Sequence, residues 1–82
     1  MDDEIRGILA AHARLPAGAE GLAWDADLYA AGMTSHASIN VMLALEEHFD
    51  VEFPDRMLTR SVFASVASIA DAIGDLRAEE AA

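Results

Sequence analysis

Cysteine is absent from the 82 residues. That excludes disulfides, thiolate zinc sites, iron–sulfur clusters and cysteine nucleophiles, so any thiol chemistry has to come from a prosthetic group. Lysine is absent too, because all 5 basic residues are Arg, which removes Schiff-base chemistry. Positive charge is scarce against 15 acids, for a net charge of -10. Nucleic acid is therefore not an expected partner, since binding it needs cations to displace phosphate counterions. Anionic membrane surfaces are disfavoured for the same reason. Long apolar runs are missing as well. Val41 to Leu45 is the longest strong one, far too short to span a bilayer. The start, Met1-Asp2-Asp3-Glu4, is acidic, unlike the basic head of a signal peptide, and a cytoplasmic location is the default expectation.

What is present is apolar enough to fold. Hydrophobic residues make up 54%, and mean hydropathy is +0.21, above the range of disordered chains. The length predicts one domain over 1–82, with 78–82 frayed, and a thin core. The charge favours a basic protein partner, which the field would steer into contact.

Ile5, Ile8, Leu9, His12 and Leu15 recur at helical spacing and predict a first helix over 2–15, closed by Pro16 and Gly18. Residues 16–33 make a long connection, with Leu22, Trp24, Leu28 and Tyr29 expected to pin it to the core and a helical turn over Asp27 to Ala31. Residues 35–49 form the clearest helix, with Val41, Met42, Leu45 and Phe49 inward. Val51 to Pro54 reads as extended, because a residue before proline avoids the helical region. Asp55 to Arg60 is expected to be a short helix. Ser65 caps a last helix that buries Val66, Ile69, Ala70 and Ile73 and closes at Arg77. The expected fold is all-α, a bundle of four helices (three main, one short) with a long loop between the first and second.

Most chemistry can be set aside. His12, His36 and His48 lack metal-ligand spacing. Asp25 to Ala30 begins like a calcium loop but has Tyr29 and Ala30 where a further oxygen ligand and Gly are needed. No Ser–His–acid set stands out, and a bundle this small is expected to offer little pocket.

The segment Gly32-Met33-Thr34-Ser35-His36 is different. Gly32 permits a sharp turn, and Thr34 or Ser35 opens the central helix. A plain N-cap accounts for such a segment. A serine exposed there would also suit an attached phosphodiester, because a helix N-terminus presents unpaired N–H groups and positive partial charge. Stepping about 100° per residue from His36 places Ile39 and Leu43 near 300° and 340°, away from the core face. They fall beside Glu46, Glu47 and Asp50. Either they widen the core stripe beneath the long loop, or they form an apolar docking strip edged by acids.

These residues resemble the acyl carrier protein family, the phosphopantetheine-bearing carriers. The likeness runs from the first helix to Ile73. It centres on Asp27-Leu28-Tyr29-Ala30-Ala31-Gly32-Met33-Thr34-Ser35, followed by Ile39 and the stretch Leu43-Ala44-Leu45-Glu46-Glu47-His48-Phe49-Asp50-Val51-Glu52-Phe53-Pro54-Asp55. Phe63 to Ala70 looks like that family's entry into its last helix. The resemblance implies that Ser35 is where a phosphopantetheinyl transferase attaches 4'-phosphopantetheine, covalently and from coenzyme A. The protein would be a monomeric carrier and not an enzyme. Its expected partner surface is Thr34, His36, Ile39, Asn40, Leu43, Glu46, Glu47 and Asp50.

Where the family has Asp before the serine and a hydrophobic residue after it, this chain has Thr34 and His36. That looks most like the discrete aminoacyl carrier proteins. They are charged with a small amino acid by an amino acid:carrier-protein ligase resembling class II seryl-tRNA synthetases, and they pass it to a downstream acceptor enzyme. Two other readings stay open on the sequence: a carrier of fatty-acid, polyketide or peptide-synthetase intermediates, and an acidic helical interaction module with no prosthetic group.

Overall fold

The computed structural model describes residues 1–16, 18–19 and 21–81, with the backbone alone at 80 and 81. Three α-helices carry the fold: α1 (Asp2–His12), α2 (Ser35–Phe49) and α3 (Val66–Ala81). No strand occurs among the described residues. The all-α expectation holds.

The short fourth helix expected over Asp55 to Arg60 is reduced to one 3₁₀ turn, Asp55–Met57. Pro54 starts it, and Leu58 leaves it at φ -84°, ψ 62°. Thr59 and Ser61 follow, residue types whose side chains compete with helical hydrogen bonding. Helix α1 ends three residues before the expected Leu15, because Arg14 turns into the left-handed region at φ 56°. Helix α3 continues past the expected stop at Arg77 to Ala81, through residues expected to fray; Ala82 lies outside the described residues.

Local chemistry sets each boundary. Asp2, Asp3 and Glu4 occupy the first turn of α1, where the helix dipole favours them. Arg6 bonds Asp2 Oδ1 at 2.8 Å and donates to the Ala19 carbonyl at 3.0 Å, tying the following connection back to α1. Helix α2 closes on Asp50 in left-handed geometry, φ 54°, whose N–H reaches the Glu46 carbonyl. Before α3, Ser65 and Ser68 bond reciprocally, each side chain accepting the other's backbone N–H at 3.0 Å. This is a capping box with Ser in place of the usual Glu.

The core joins Ile5 and Leu9 of α1, Val41 and Leu45 of α2, Val66, Ile69 and Ile73 of α3, and Leu28 of the connection, all at 0% exposure. Phe53 and Phe63 meet edge-to-face with centroids 5.3 Å apart. Helix α1 packs against both α2 and α3, whereas α2 and α3 approach each other less.

Trp24 corrects the sequence reading. It was expected to pin the connection with its ring, yet the side chain is 45% exposed. The Leu28 side chain does pin the connection, and Leu22 and Tyr29 pack partly buried against the core. Two backbone bonds add to this: the Ala67 N–H donates to the Trp24 carbonyl at 2.9 Å and the Leu28 N–H to the Ala64 carbonyl at 2.6 Å. They fasten the approach to α2 onto the head of α3.

Candidate functional site

The approach to α2 is a wound segment. Asp27 Oδ1 accepts the N–H groups of Tyr29 (2.9 Å) and Ala30 (3.3 Å). The Ala31, Gly32 and Met33 N–H groups donate back to the carbonyls of Asp27, Tyr29 and Leu28. The Asp27 carboxylate is thus committed to its own turn, as in Asx turns. Among the described residues no group of three His, Cys, Asp or Glu is placed to hold a metal ion.

The turn ends at Gly32, φ 118°, and Met33 anchors it in the core at 3% exposure. Thr34 is then extended, and its Oγ1 accepts the Ala37 N–H at 3.0 Å. Thr34 is therefore the N-cap, and Ser35 is the first helical residue. The capping duty that the sequence left open between them falls to Thr34. Ser35 is exposed, and its Oγ makes no hydrogen bond among the described residues. It stands at the positive end of α2 with its hydroxyl uncommitted.

Ser35 also lines a groove of about 540 Å³. On the α2 side Ser38, Ile39 and Met42 join it. Leu58, Thr59, Arg60 and Phe63 form the opposite wall, and Tyr29 completes the lining. The Arg60 guanidinium carbon lies 4.0 Å from the centre of the Tyr29 ring. Little pocket was expected in so small a bundle. The segment between α2 and α3, which makes one 3₁₀ turn, contributes four of the lining residues. The meeting of Arg60, Tyr29, Leu58 and Phe63 along one groove is not visible in the sequence, because nothing in their spacing signals it.

The expected partner residues separate into two groups. Ile39 and Leu43 are 53% and 52% exposed, so the wide-core alternative is excluded for both. His36, Glu47 and Asp50 are exposed beside them. Asn40 is half-buried. Thr34 spends its hydroxyl oxygen on the cap. Glu46 is half-buried, and its Oε2 accepts the Phe53 N–H at 2.8 Å, holding the extended Val51 to Pro54 exit in place. It is a structural carboxylate as much as a surface one. On the α1 side of the bundle, His48 Nε2 contacts Glu4 Oε2 at 2.8 Å. The His48 hydrogen bond is the largest influence holding the Glu4 carboxyl below its ordinary value.

The site fits a phosphopantetheine group. It offers a free hydroxyl at a helix head, an adjoining groove and a cation on the groove wall. The chain itself has no cysteine thiol.

Comparison with known proteins places the chain in a family. Residues 3–73 match the family model described as "Phosphopantetheine attachment site". An aminoacyl carrier protein of Agrobacterium fabrum is 49% identical over 73 residues, covering 89% of this chain and 88% of that relative. Among solved structures, a crystal structure of an engineered Bradyrhizobium japonicum glycine:[carrier protein] ligase complexed with a carrier protein from Agrobacterium tumefaciens and AMP matches with TM-score 0.88 and 49% identity. The match covers 90% of this chain and 99% of that one. A solution structure of an Agrobacterium tumefaciens protein matches over the full length of both chains, with TM-score 0.76 and 48% identity. A family match over most of the chain, joined to near-half identity with an aminoacyl carrier over the same span, makes this chain a member of the phosphopantetheine-attachment family and a homologue of its aminoacyl carrier proteins.

Proposed function

We propose that Ser35 is the residue of this aminoacyl carrier homologue that bears 4'-phosphopantetheine, and that the loaded protein presents a small amino acid to partner enzymes. The observation that carries the assignment is the division of labour at the head of α2: Thr34 caps the helix, and the Ser35 hydroxyl is left exposed and free. The other serines are otherwise engaged. Ser38 donates to the Ser35 carbonyl at 2.7 Å, Ser61 meets Thr59, and Ser65 and Ser68 cap α3. A phosphodiester at Ser35 gains from the N-terminal N–H groups of α2.

The prosthetic group supplies a thiol, on which an amino acid is held as a thioester. The chain positions and presents it and performs no chemistry of its own. A phosphopantetheinyl transferase attaches the arm, and a ligase of the kind crystallised with the Agrobacterium tumefaciens carrier charges it. Ile39 and Leu43, bordered by Glu47 and Asp50, supply the contact surface: burial from the aliphatic pair, and steering from the acids towards an Arg- or Lys-rich partner. Tethering raises the effective concentration of cargo at each partner that docks.

The test is loading. The phosphopantetheinylated protein is offered to a glycine:carrier-protein ligase with ATP and glycine, alanine or serine, and separately to a malonyl transferase with malonyl-coenzyme A. Aminoacylation without efficient malonylation is the expected result. Efficient malonylation with no aminoacylation would reverse the assignment of cargo.

A further inference from the structure

Two of the five Arg side chains pair with acids: Arg6 with Asp2 and Arg56 with Glu79, each at 2.8 Å. Arg60, like Arg14 and Arg77, has no carboxylate within ion-pair distance among the described residues. It lies instead over the Tyr29 ring, on the wall of the groove that Ser35 shares. A second feature concerns the same groove. Ile39 and Leu58, on opposite walls, leave large apolar surfaces uncovered, at 53% and 46% exposure.

We infer that Arg60, held by Tyr29, seats the phosphodiester joined to Ser35, and that the pantetheine arm lies along the groove between Ile39 and Leu58 instead of hanging free in solvent. The inference rests on Ser35 being the attachment residue. Charge complementarity identifies the occupant. Among the described residues Arg60 is the one cation on the groove wall, and a guanidinium matches two phosphate oxygens with its planar fork. Stacking on Tyr29 restrains the Arg60 side chain in advance, which reduces the entropy lost on pairing. The lining suits the rest of the arm. Met42, Leu58 and Phe63 offer apolar contact, and Ser38 and Thr59 add polar groups to the lining. At about 540 Å³ the groove lies within the range typical of sites that hold small molecules. An amino acid at the far end of the arm, carrying a charged amine, stays outside the apolar lining.

The test compares apo and phosphopantetheinylated forms of the full chain, as wild type, Arg60→Gln and Arg60→Lys. Intact mass confirms attachment before any spectrum is read. Nuclear Overhauser contacts are then recorded between the unlabelled arm and the isotope-labelled Ile39, Met42 and Leu58 methyl groups, together with the phosphorus resonance. The wild type is expected to show arm contacts to these methyls. Arg60→Gln is expected to weaken them by about twofold, the scale of an exposed charge pair, and to move the phosphorus resonance. Arg60→Lys keeps the charge and should keep most of the contacts. Arg60 is exposed, and the dispersion of the apo spectra shows whether each variant folds. Attachment without arm-to-groove contacts in the wild type overturns the seat while leaving the Ser35 assignment standing. Contacts indifferent to Arg60→Gln overturn the role of Arg60. A wild type that gains no mass overturns the Ser35 assignment and the seat together.

Discussion

Gly32 packs against the ring of Pro16 so closely that a β-carbon built on it would fall 2.8 Å from Pro16 Cδ. Its φ of 118° is also one that side-chain-bearing residues avoid. Pro16 follows the exit of α1, and Gly32 lies three residues before Ser35, so this contact sets where the head of α2 stands. Gly32→Ala is expected to cost about 1–3 kcal/mol through backbone strain, lowering the melting temperature by about 4–8 °C per kcal/mol in a domain of this size. Thermal unfolding followed by circular dichroism measures it. An unchanged melting temperature would show that the contact relaxes without cost.

Capping and attachment should separate by mutation. Thr34→Ala removes the side-chain cap of α2 and is expected to lose about 1 kcal/mol of stability while remaining open to phosphopantetheinylation. Thr34→Asp keeps a capping oxygen and should lose little. Ser35→Ala touches no hydrogen bond of its hydroxyl among the described residues and should melt like the wild type. Denaturant titrations of the three variants check the order.

The exposed pair on α2, Ile39 and Leu43, is the proposed docking strip. Leu43 is 52% exposed, so Leu43→Asp should leave helicity and melting temperature near those of the wild type. It should lower kcat/KM for ligase charging by about tenfold, the scale of losing one central apolar contact of an interface. Raising salt should slow charging, because exposed charges are screened beyond about 10 Å at 0.1 M. Steady-state charging rates at two ionic strengths test both. Unfolding of Leu43→Asp would place the residue in the core and remove the docking strip.

The contact between Glu4 and His48 joins α1 to α2 and carries a pH signature. Glu4 has its carboxyl lowered from 4.5, first by the His48 hydrogen bond and then by the charges of the N-terminus, His48 and Arg77, against opposing desolvation. A depressed carboxylate stabilises the folded state above its unfolded value and loses that contribution as pH falls through the folded value. Stability should therefore decline on acidification below about 4.5, less steeply in Glu4→Gln, and the difference should be small because the pair is exposed. Melting curves across that acid range, for both proteins, show the sign.

Much of this was legible in the residues. Helix α2 announces itself by the period of Val41, Leu45 and Phe49, and its bounds match the expected 35–49. The exposure of Ile39 and Leu43 follows from the same helical wheel, once the core face is known. Ser65 reads as a cap because a hydroxyl just before an apolar period has that local use. What the sequence conceals depends on distant approach. Trp24 looks like an anchor from its size, yet its ring is exposed and its carbonyl does the holding, and backbone groups leave no trace in residue type; Leu28, read as an anchor from its apolar side chain, is one. Glu46 looks like a surface acid until the chain turns back and brings the Phe53 N–H to it. The groove lining brings Leu58, Thr59, Arg60 and Phe63 together with residues of α2 far from them in sequence, a meeting that residue spacing does not record.

Whether Ser35 bears the prosthetic group is read by intact-mass spectrometry of wild type and Ser35→Ala after incubation with coenzyme A and a broad-specificity phosphopantetheinyl transferase. The wild type is expected to gain the mass of one phosphopantetheinyl group and the variant, equally folded, to gain nothing. Modification persisting in Ser35→Ala, or a wild type that stays at its apo mass, would contradict the assignment.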